Sequence, residues 1–394
     1  MESFTTSSFE QELKGNILPF WSTVTVDHEN GGFYGSINND MKIDNSAPRS
    51  AVLYSRILWT YSRAFRLYHD ESYLITARYT LDYILNNLID PEFGGVFWSV
   101  DFHGKPVDDR KHTYAQAFTI YGLSEYYRAT GDRAILEKAI ELYHLVQKNT
   151  FDPNFGGNIE CCSRSWQAEE DMRLSAKDLN CAKSMNTLLH LIEAHSNLML
   201  AWNEPDLVKT QTALLKAFLE HIVDPETYHL KLFFTNDWQS MGKIVSYGHD
   251  IEASWLMVEA AEILKDEELI AQTKDLAVRI AEVTYKEGRN TDGSFLYELN
   301  SKELVEDRHW WVNAEAVVGL FNAYSISGKE DYLNASKACW QYIQQHFVDR
   351  QNGDWFKVLK KNGTPSNGTY KVGPWECPYH HSRLCMEMAQ RLTA

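Results

Sequence analysis

The sequence predicts an all-α fold, an (α/α)6 barrel of twelve helices with short β-hairpins at one end, forming a single domain over residues 1–394. Three observations carry this prediction. A Gly- and aromatic-rich segment recurs roughly every 60 residues, with one longer interval. Two helical stretches fill each interval, and a second recurring break separates them.

The first segment occurs as NGGFYGSI (30–37), FGGVFWSVDFHGK (93–105) and FGGNIECC (155–162). It continues more loosely as HLKLFFTNDW (229–238), GSFLYELN (293–300) and GDWFKVLKKNG (353–363). Turns such as DPEFGG, DPNFGG and DPETY precede most of them. Alternating aromatic and polar residues bounded by Gly, Asn and Asp read as short strands or hairpins. The break between paired helices reads HDESYL, GDRAIL, NEPDLV, KDEELI and GKEDYL. In each, a polar residue and an acid precede an apolar run, the pattern of a helix start. RAILEKAIELYHLVQKN, from Arg133, has the three-four apolar spacing of a helix with one buried face.

Helices are therefore expected near 8–24, 50–68, 72–89, 112–130, 133–149, 184–202, 206–223, 248–265, 267–286, 309–327, 330–348 and 378–392. Six pairs can stack as an open solenoid or close into a ring. Closure is favoured because six pairs make the (α/α)6 toroid and neither end carries a polar capping repeat. In such a toroid alternate helices line the inside, with their N-termini at the hairpin end.

Composition narrows the function. A net charge of −16 and a pI near 5.3 argue against nucleic acid or an anionic membrane surface as partner. MESFTTSSFEQEL lacks the basic-then-apolar order of a secretory signal, and no stretch approaches a membrane span. Cys161, Cys162, Cys181, Cys339, Cys377 and Cys385 fit no zinc spacing and are too sparse for a disulfide scaffold, so reduced thiols in the cytoplasm are expected. Twelve Trp within 13% aromatic residues suit a carbohydrate cleft, because sugar C–H faces stack on rings.

The start of every second helix carries polar or aromatic groups. These are Arg56 in LYSRILW, Tyr114 in KHTYAQAF, Asn186 and His190 in MNTLLH, and His249, Glu252 and Trp255 in SYGHDIEASW. Trp310, Trp311 and Glu315 follow in HWWVNAEA, then His380 in WECPYHHSR with Trp375 before it. Burying an ionisable group without partners is costly. Singly, each of these reads as a satisfied core or cap residue; six such helix starts on one rim read as a site. In SYGHDIEASW, Glu252 lies three residues after His249 and is expected to reach its imidazole. The helix dipole is expected to keep that ring neutral, as a general base requires.

YSRILW, NxxLHLIEA, GHDIEASWL, HWWxxAEA and PYHxSR resemble the N-acylglucosamine 2-epimerase and cellobiose 2-epimerase superfamily, closest to the cellobiose branch. The match runs from GGFYG to the last helix. Val312 and Asn313 stand where that branch often has Pro-Gln, Cys377 where it often has Gly, and His381 where Asn is common. A second imidazole beside His380 leaves the proton acceptor ambiguous.

The resemblance implies C2 epimerisation of the reducing-end glucose of β-1,4-linked disaccharides, a small-molecule carbohydrate substrate. Such chemistry needs ring opening, a base, an oxyanion stabiliser and an acid on the opposite face. His249 and His380 are the expected proton-transfer pair, Glu252 orients His249, and Arg56 stabilises the enediolate. Following the family, His190 assists ring opening and Asn186 and Asp178 bind hydroxyls. Glu315 supports the site as one of the substrate-binding group, and Trp311 and Trp375 stack the sugars, with Tyr114 and Trp255 beside them. An aldose–ketose isomerase and an N-acylglucosamine 2-epimerase are close alternatives. An inverting glycoside hydrolase using two of Glu252, Glu315 and Asp178, or a non-catalytic sugar-binding module, is more distant. His249 and Glu252 are spaced to share an ion, with His380 and His381 as further nitrogen donors. Yet no compact metal motif occurs and no nucleotide fingerprint is present, so neither metal nor cofactor is expected. Oligomeric state is not legible in the sequence.

Overall fold

Among the described residues, 4–301 and 303–393 of a computed structural model, twelve helices form close to the predicted positions. They are α1 (6–23), α2 (Ala51–Tyr68), α3 (71–88), α4 (Thr113–Thr130), α5 (Arg133–Thr150) and α6 (Met185–Met199). The second half comprises α7 (205–222), α8 (Tyr247–Leu264), α9 (267–288), α10 (Trp310–Ser327), α11 (330–347) and α12 (Tyr379–Arg391). Five of the outer helices contain a π-helical turn, such as Ile84–Leu88 and Phe218–Ile222.

The even-numbered helices are buried nearly all round, whereas an outer helix such as α5 buries one stripe of Ile135, Leu136, Ala139, Leu142, Tyr143 and Val146. Each even helix packs against the next, and α12 returns to α2. The ring is closed, not an open solenoid, and α1 covers α12 from outside. None of the described helices is long and apolar enough to cross a membrane.

Short strands stitch the repeats together at the mouth of the ring. The residues just before an inner helix pair antiparallel with the hairpin that follows: Arg49–Ser50 with Ser99–Val100, Lys111–His112 with Cys161–Cys162, Lys183–Ser184 with Phe233–Phe234. Ile244–Ser246 with Glu298–Asn300 and Arg308–His309 with Val358–Leu359 continue the series. The sixth pairing sets Ile37 opposite Val372 and ties the last repeat to the first.

The aspartate that opens four of these turns does more than turn the chain. Asp90 accepts the Glu92 and Phe93 N–H groups on one oxygen and the buried Lys111 ammonium on the other, at 2.9 Å. Asp152 does the same with Lys183 (2.8 Å) and Asp349 with Lys371 (2.8 Å), while Asp27 holds Arg49. Removing one partner would leave a buried charge uncompensated, costing about 3–5 kcal/mol. These pairs fix the strands that precede α2, α4, α6 and α12.

Candidate active site

Residues from all six inner-helix N-termini line one cavity of about 430 Å³ at the hairpin end. Arg56, Tyr114, Asn186, His190, His249, Glu252, Trp311 and His380 face it, with Trp375 and Asp178 contributed by loops. A second space of about 400 Å³ adjoins it, sharing Asp178, Asn186, His249 and Tyr297.

His249 and His380 both pack against the Trp311 ring, at centroid distances of 4.7 Å and 5.6 Å. Gly248 permits this arrangement, since a Cβ there would lie 2.5 Å from Trp311. Each catalytic candidate among the histidines has one ring nitrogen committed. His190 Nδ1 donates to Glu193 at 2.9 Å and His380 Nδ1 donates to Glu315 at 2.8 Å. His249 Nδ1 sits 2.8 Å from the Ser246 hydroxyl.

Burial, followed by the neighbouring His190, pulls His249 down to about 3. Burial brings His190 to about 4 despite Glu193, and burial with Arg56 and Arg383 holds His380 well below 6.5. All three are neutral near pH 7, as predicted for His249, but the main cause is loss of solvent rather than the helix dipole.

One turn deeper lies a layer of charge that the sequence reading did not assign. Arg383, three residues after His380, gives Nη1 to Glu193 and Nη2 to both Glu252 (2.5 Å) and Glu315 (2.8 Å). The guanidinium thus joins α6, α8, α10 and α12. Burial raises the Glu252 carboxyl, and the charge of Glu315 raises it further. Its first oxygen accepts from Arg383, and its second is buried without a hydrogen-bond partner. Glu193 differs: burial opposes its charge, but Arg383 and His190 bring it down to about 2.

Three expectations are corrected here. Glu252 does not orient His249; Ser246 does, and Glu252 turns inward to Arg383, with an oxygen 3.9 Å from His380 Nδ1. Trp255 is not beside the sugar site. It is 2% exposed beneath it, its indole N–H donating to Glu315 at 3.0 Å and its ring under the Arg383 guanidinium. Glu315 likewise lies behind His380, with both oxygens committed, and supports the imidazole rather than touching the cavity. The ambiguity over His381 also resolves. Its Nε2 donates to Asp354 at 2.6 Å in the core, so His380 alone of the two faces the cavity.

Arg56 stands apart from Arg383. Its guanidinium donates to the Tyr114 hydroxyl at 2.8 Å and to Cys377 Sγ at 3.6 Å, and stacks on Phe118 and Tyr379. Among the described residues no carboxylate pairs with it. Burial works against its charge, yet Tyr114, Cys377 and Tyr379 leave it firmly protonated. Asn186 presents a carbonyl oxygen without a partner, and Asp178 accepts the Ser175 N–H at 2.9 Å. Trp375 packs 5.6 Å from Tyr114 and 5.8 Å from Trp98. Opposite, His309 stacks on Tyr297 at 3.8 Å, a platform that the motif HWW contained without its role being read.

Glu252, Glu315 and His380 bring potential metal-ligating atoms within 4.8 Å of one another. The Arg383 guanidinium already lies against both carboxylates, so their charge is met by a resident cation.

The fold and site together define a class: an (α/α)6 toroid enzyme that holds several neutral imidazoles and one uncompensated guanidinium at the mouths of its inner helices. The chain belongs to the N-acylglucosamine 2-epimerase (GlcNAc 2-epimerase) family, whose pattern matches residues 32–383. It is 43% identical over 390 residues to the cellobiose 2-epimerase of Bacteroides fragilis, covering 98% of this chain and 99% of that protein. Among solved structures, a sugar epimerase from a ruminal bacterium superposes with a TM-score of 0.94 at 40% identity, covering 98% of both chains. The cellobiose 2-epimerase of Bacillus thermoamylovorans B4167 superposes at 0.93 with 35% identity, over 98% of this chain and 99% of that one.

Proposed function

We propose that this chain, acting as one catalytic unit in the cytoplasm, epimerises C2 of the reducing-end glucose of β-1,4-linked disaccharides. Cellobiose would give glucosyl-mannose and lactose epilactose, reversibly. The observation that carries this reading is the placing of two buried imidazoles, His249 and His380, against Trp311 in one cavity with the unpaired Arg56. The six free thiols, all buried, suit a reducing compartment.

The C2 hydrogen becomes acidic once the ring opens and C2 lies next to an aldehyde. His190, with Nδ1 held by Glu193, has its other nitrogen free to move a proton during ring opening. One of His249 and His380 then removes the C2 proton, and the electron pair passes to the carbonyl oxygen as an enediolate. Arg56 meets that charge with no competing carboxylate. A negative charge beside the imidazoles favours their protonated forms, which burial alone disfavours. The other histidine returns a proton to the opposite face. Glu315 stabilises the imidazolium of His380, and Ser246 that of His249. Glu193, Glu252 and Glu315 converge on Arg383 rather than flank a glycosidic bond, which suits proton abstraction better than hydrolysis.

Incubation with cellobiose, lactose, glucose, mannose and N-acetylglucosamine in deuterated water tests the reading by NMR. Mannose-configured disaccharide carrying C2 deuterium is expected. A ketose product would mark an isomerase, free glucose a hydrolase, and epimerised N-acetylglucosamine the other family branch. Absence of any C2 exchange would leave only a binding module.

A further inference from the structure

The two buried guanidiniums of this molecule are treated oppositely. Arg383 is surrounded by three carboxyl groups, whereas Arg56 has a phenol, a thiol and two ring faces. Placing an arginine in a water-poor site without an anion costs several kcal/mol unless something else meets its charge. A neutral disaccharide brings no charge. The other ionisable groups of the cavity do little to meet it: Glu252 is engaged by Arg383, and burial raises the Glu376 carboxyl. Asp178 is tied to the Ser175 N–H on a loop. The three histidines are neutral and add no competing charge.

We propose that this cavity also binds disaccharide aldonates, sugar acids in which a carboxylate replaces the reducing-end aldehyde, with that carboxylate seated on Arg56. The inference rests on the epimerase reading, because it takes the sugar-stacking surfaces of Trp311 and Trp375 as given. A carboxylate is planar, shares one negative charge between two oxygens, and sits one carbon from C2, as the enediolate charge does. It also matches the paired N–H groups of a guanidinium, one of the stronger charge-assisted contacts in proteins. Stable mimics of a transition state bind about 10²–10⁸-fold more tightly than substrate; an aldonate copies only the charge, so the low end applies. Any reaction that oxidises the same reducing-end aldehyde to the acid would then generate an inhibitor of this site.

The test compares lactobionate with lactitol, an acid and a neutral open-chain alcohol of the same disaccharide. Titration calorimetry on the full chain at pH 7 reads binding, and lactose epimerisation is assayed on the same preparation. Lactobionate is expected to bind at least about tenfold more tightly than lactitol and to inhibit competitively. In Arg56→Lys, checked for folding by circular dichroism, the preference should shrink, since Lys keeps the charge but loses the fork. An enzyme that epimerises lactose yet binds lactobionate no better than lactitol overturns this inference and leaves the function standing. A protein that prefers lactobionate but epimerises nothing supports the carboxylate site and overturns the epimerase reading. Because wild type alone decides both outcomes, an unfolded variant does not blunt the test.

Discussion

Arg383 Nη2 lies 2.8 Å from Glu315 Oε1, the same oxygen that receives the Nδ1 proton of His380 at 2.8 Å. One carboxylate oxygen therefore serves a structural cation and a cavity-facing imidazole at once. Arg383 and His380 are three residues apart on α12, so the helix carries both the cavity-facing imidazole and the charge that fixes its support. The geometry of the His380 ring depends on α10 and α12 staying in register, and Arg383 is the group that couples them.

Removing this cation should unfold the protein before it alters the chemistry. Arg383→Met leaves Glu193, Glu252 and Glu315 facing one another without compensation, and breaking a buried pair costs about 3–5 kcal/mol. Urea denaturation should record a loss of that size. A change below about 1 kcal/mol would mean that the carboxyl groups find solvent or protons without it.

His249 and His380 should each be indispensable, whereas Ser246 should be helpful. His249→Ala or His380→Ala is expected to lower kcat/KM by at least about 10²–10⁴-fold; activity within tenfold of wild type would remove that histidine from the proton-transfer pair. Ser246→Ala strips the His249 ring of its Nδ1 partner, a buried hydrogen bond of about 1–3 kcal/mol. A fall of roughly tenfold in kcat with little change in KM is expected. An unchanged kcat would show that Trp311 packing alone holds the ring.

The neighbouring imidazole should behave differently. His381→Asn breaks the contact to Asp354 but leaves that carboxylate paired with Lys357 at 2.7 Å. Thermal stability should fall by about 1–3 kcal/mol while kcat/KM stays within about threefold. Loss comparable to that of His380→Ala would return His381 to the proton path.

Stability should peak near neutral pH. Burial lowers His190, His195 and His381 to about 4 and His249 to about 3, against 6.5 in the unfolded chain. Between 6.5 and about 4 the unfolded chain gains protons that the folded chain refuses, so stability is lost as pH falls through that window. Glu160 acts in the opposite sense. Burial raises it to about 7 from 4.5, so its contribution is complete below 4.5 and disappears as pH rises through 7. Four imidazoles outweigh one carboxyl on the acid side. Melting temperatures from pH 4 to 9 should therefore drop as pH falls below 6.5, with Glu160 offsetting part of that loss between 4.5 and 7; a flat acid limb would contradict the buried neutral histidines.

Helix number, the hairpin repeat and the rim residues were legible because each rests on local pattern. A three-four apolar stripe or a Gly-rich turn declares itself within about ten residues. Which neighbour a rim residue touches was less accessible. His249 has a polar residue three places before it and another three places after, and spacing alone treats Ser246 and Glu252 alike. Helical side chains lean toward the N-terminus, which favours the residue before, and the structure places Ser246 there. Glu252 instead meets an arginine 131 residues away, a contact set by ring closure. Trp255 and Glu315 were misjudged for the same reason: depth along an inner helix decides whether a group touches the cavity or supports those that do. Arg383 stood in the motif PYHHSR, and its position one turn below His380 was the available signal.

The strand pair joining Ile37 to Val372 has a consequence for how activity arises during synthesis. Until the segment from 370 to 391 has left the ribosome, the growing chain is a toroid with an open seam. The flanks of α2 and α10 that α12 will cover lie bare, and Glu193, Glu252 and Glu315 await their cation. His380 arrives on that same last helix. Sealing the seam and neutralising the floor are thus one event, and a nascent chain lacking α12 has a sticky edge for chaperones to guard.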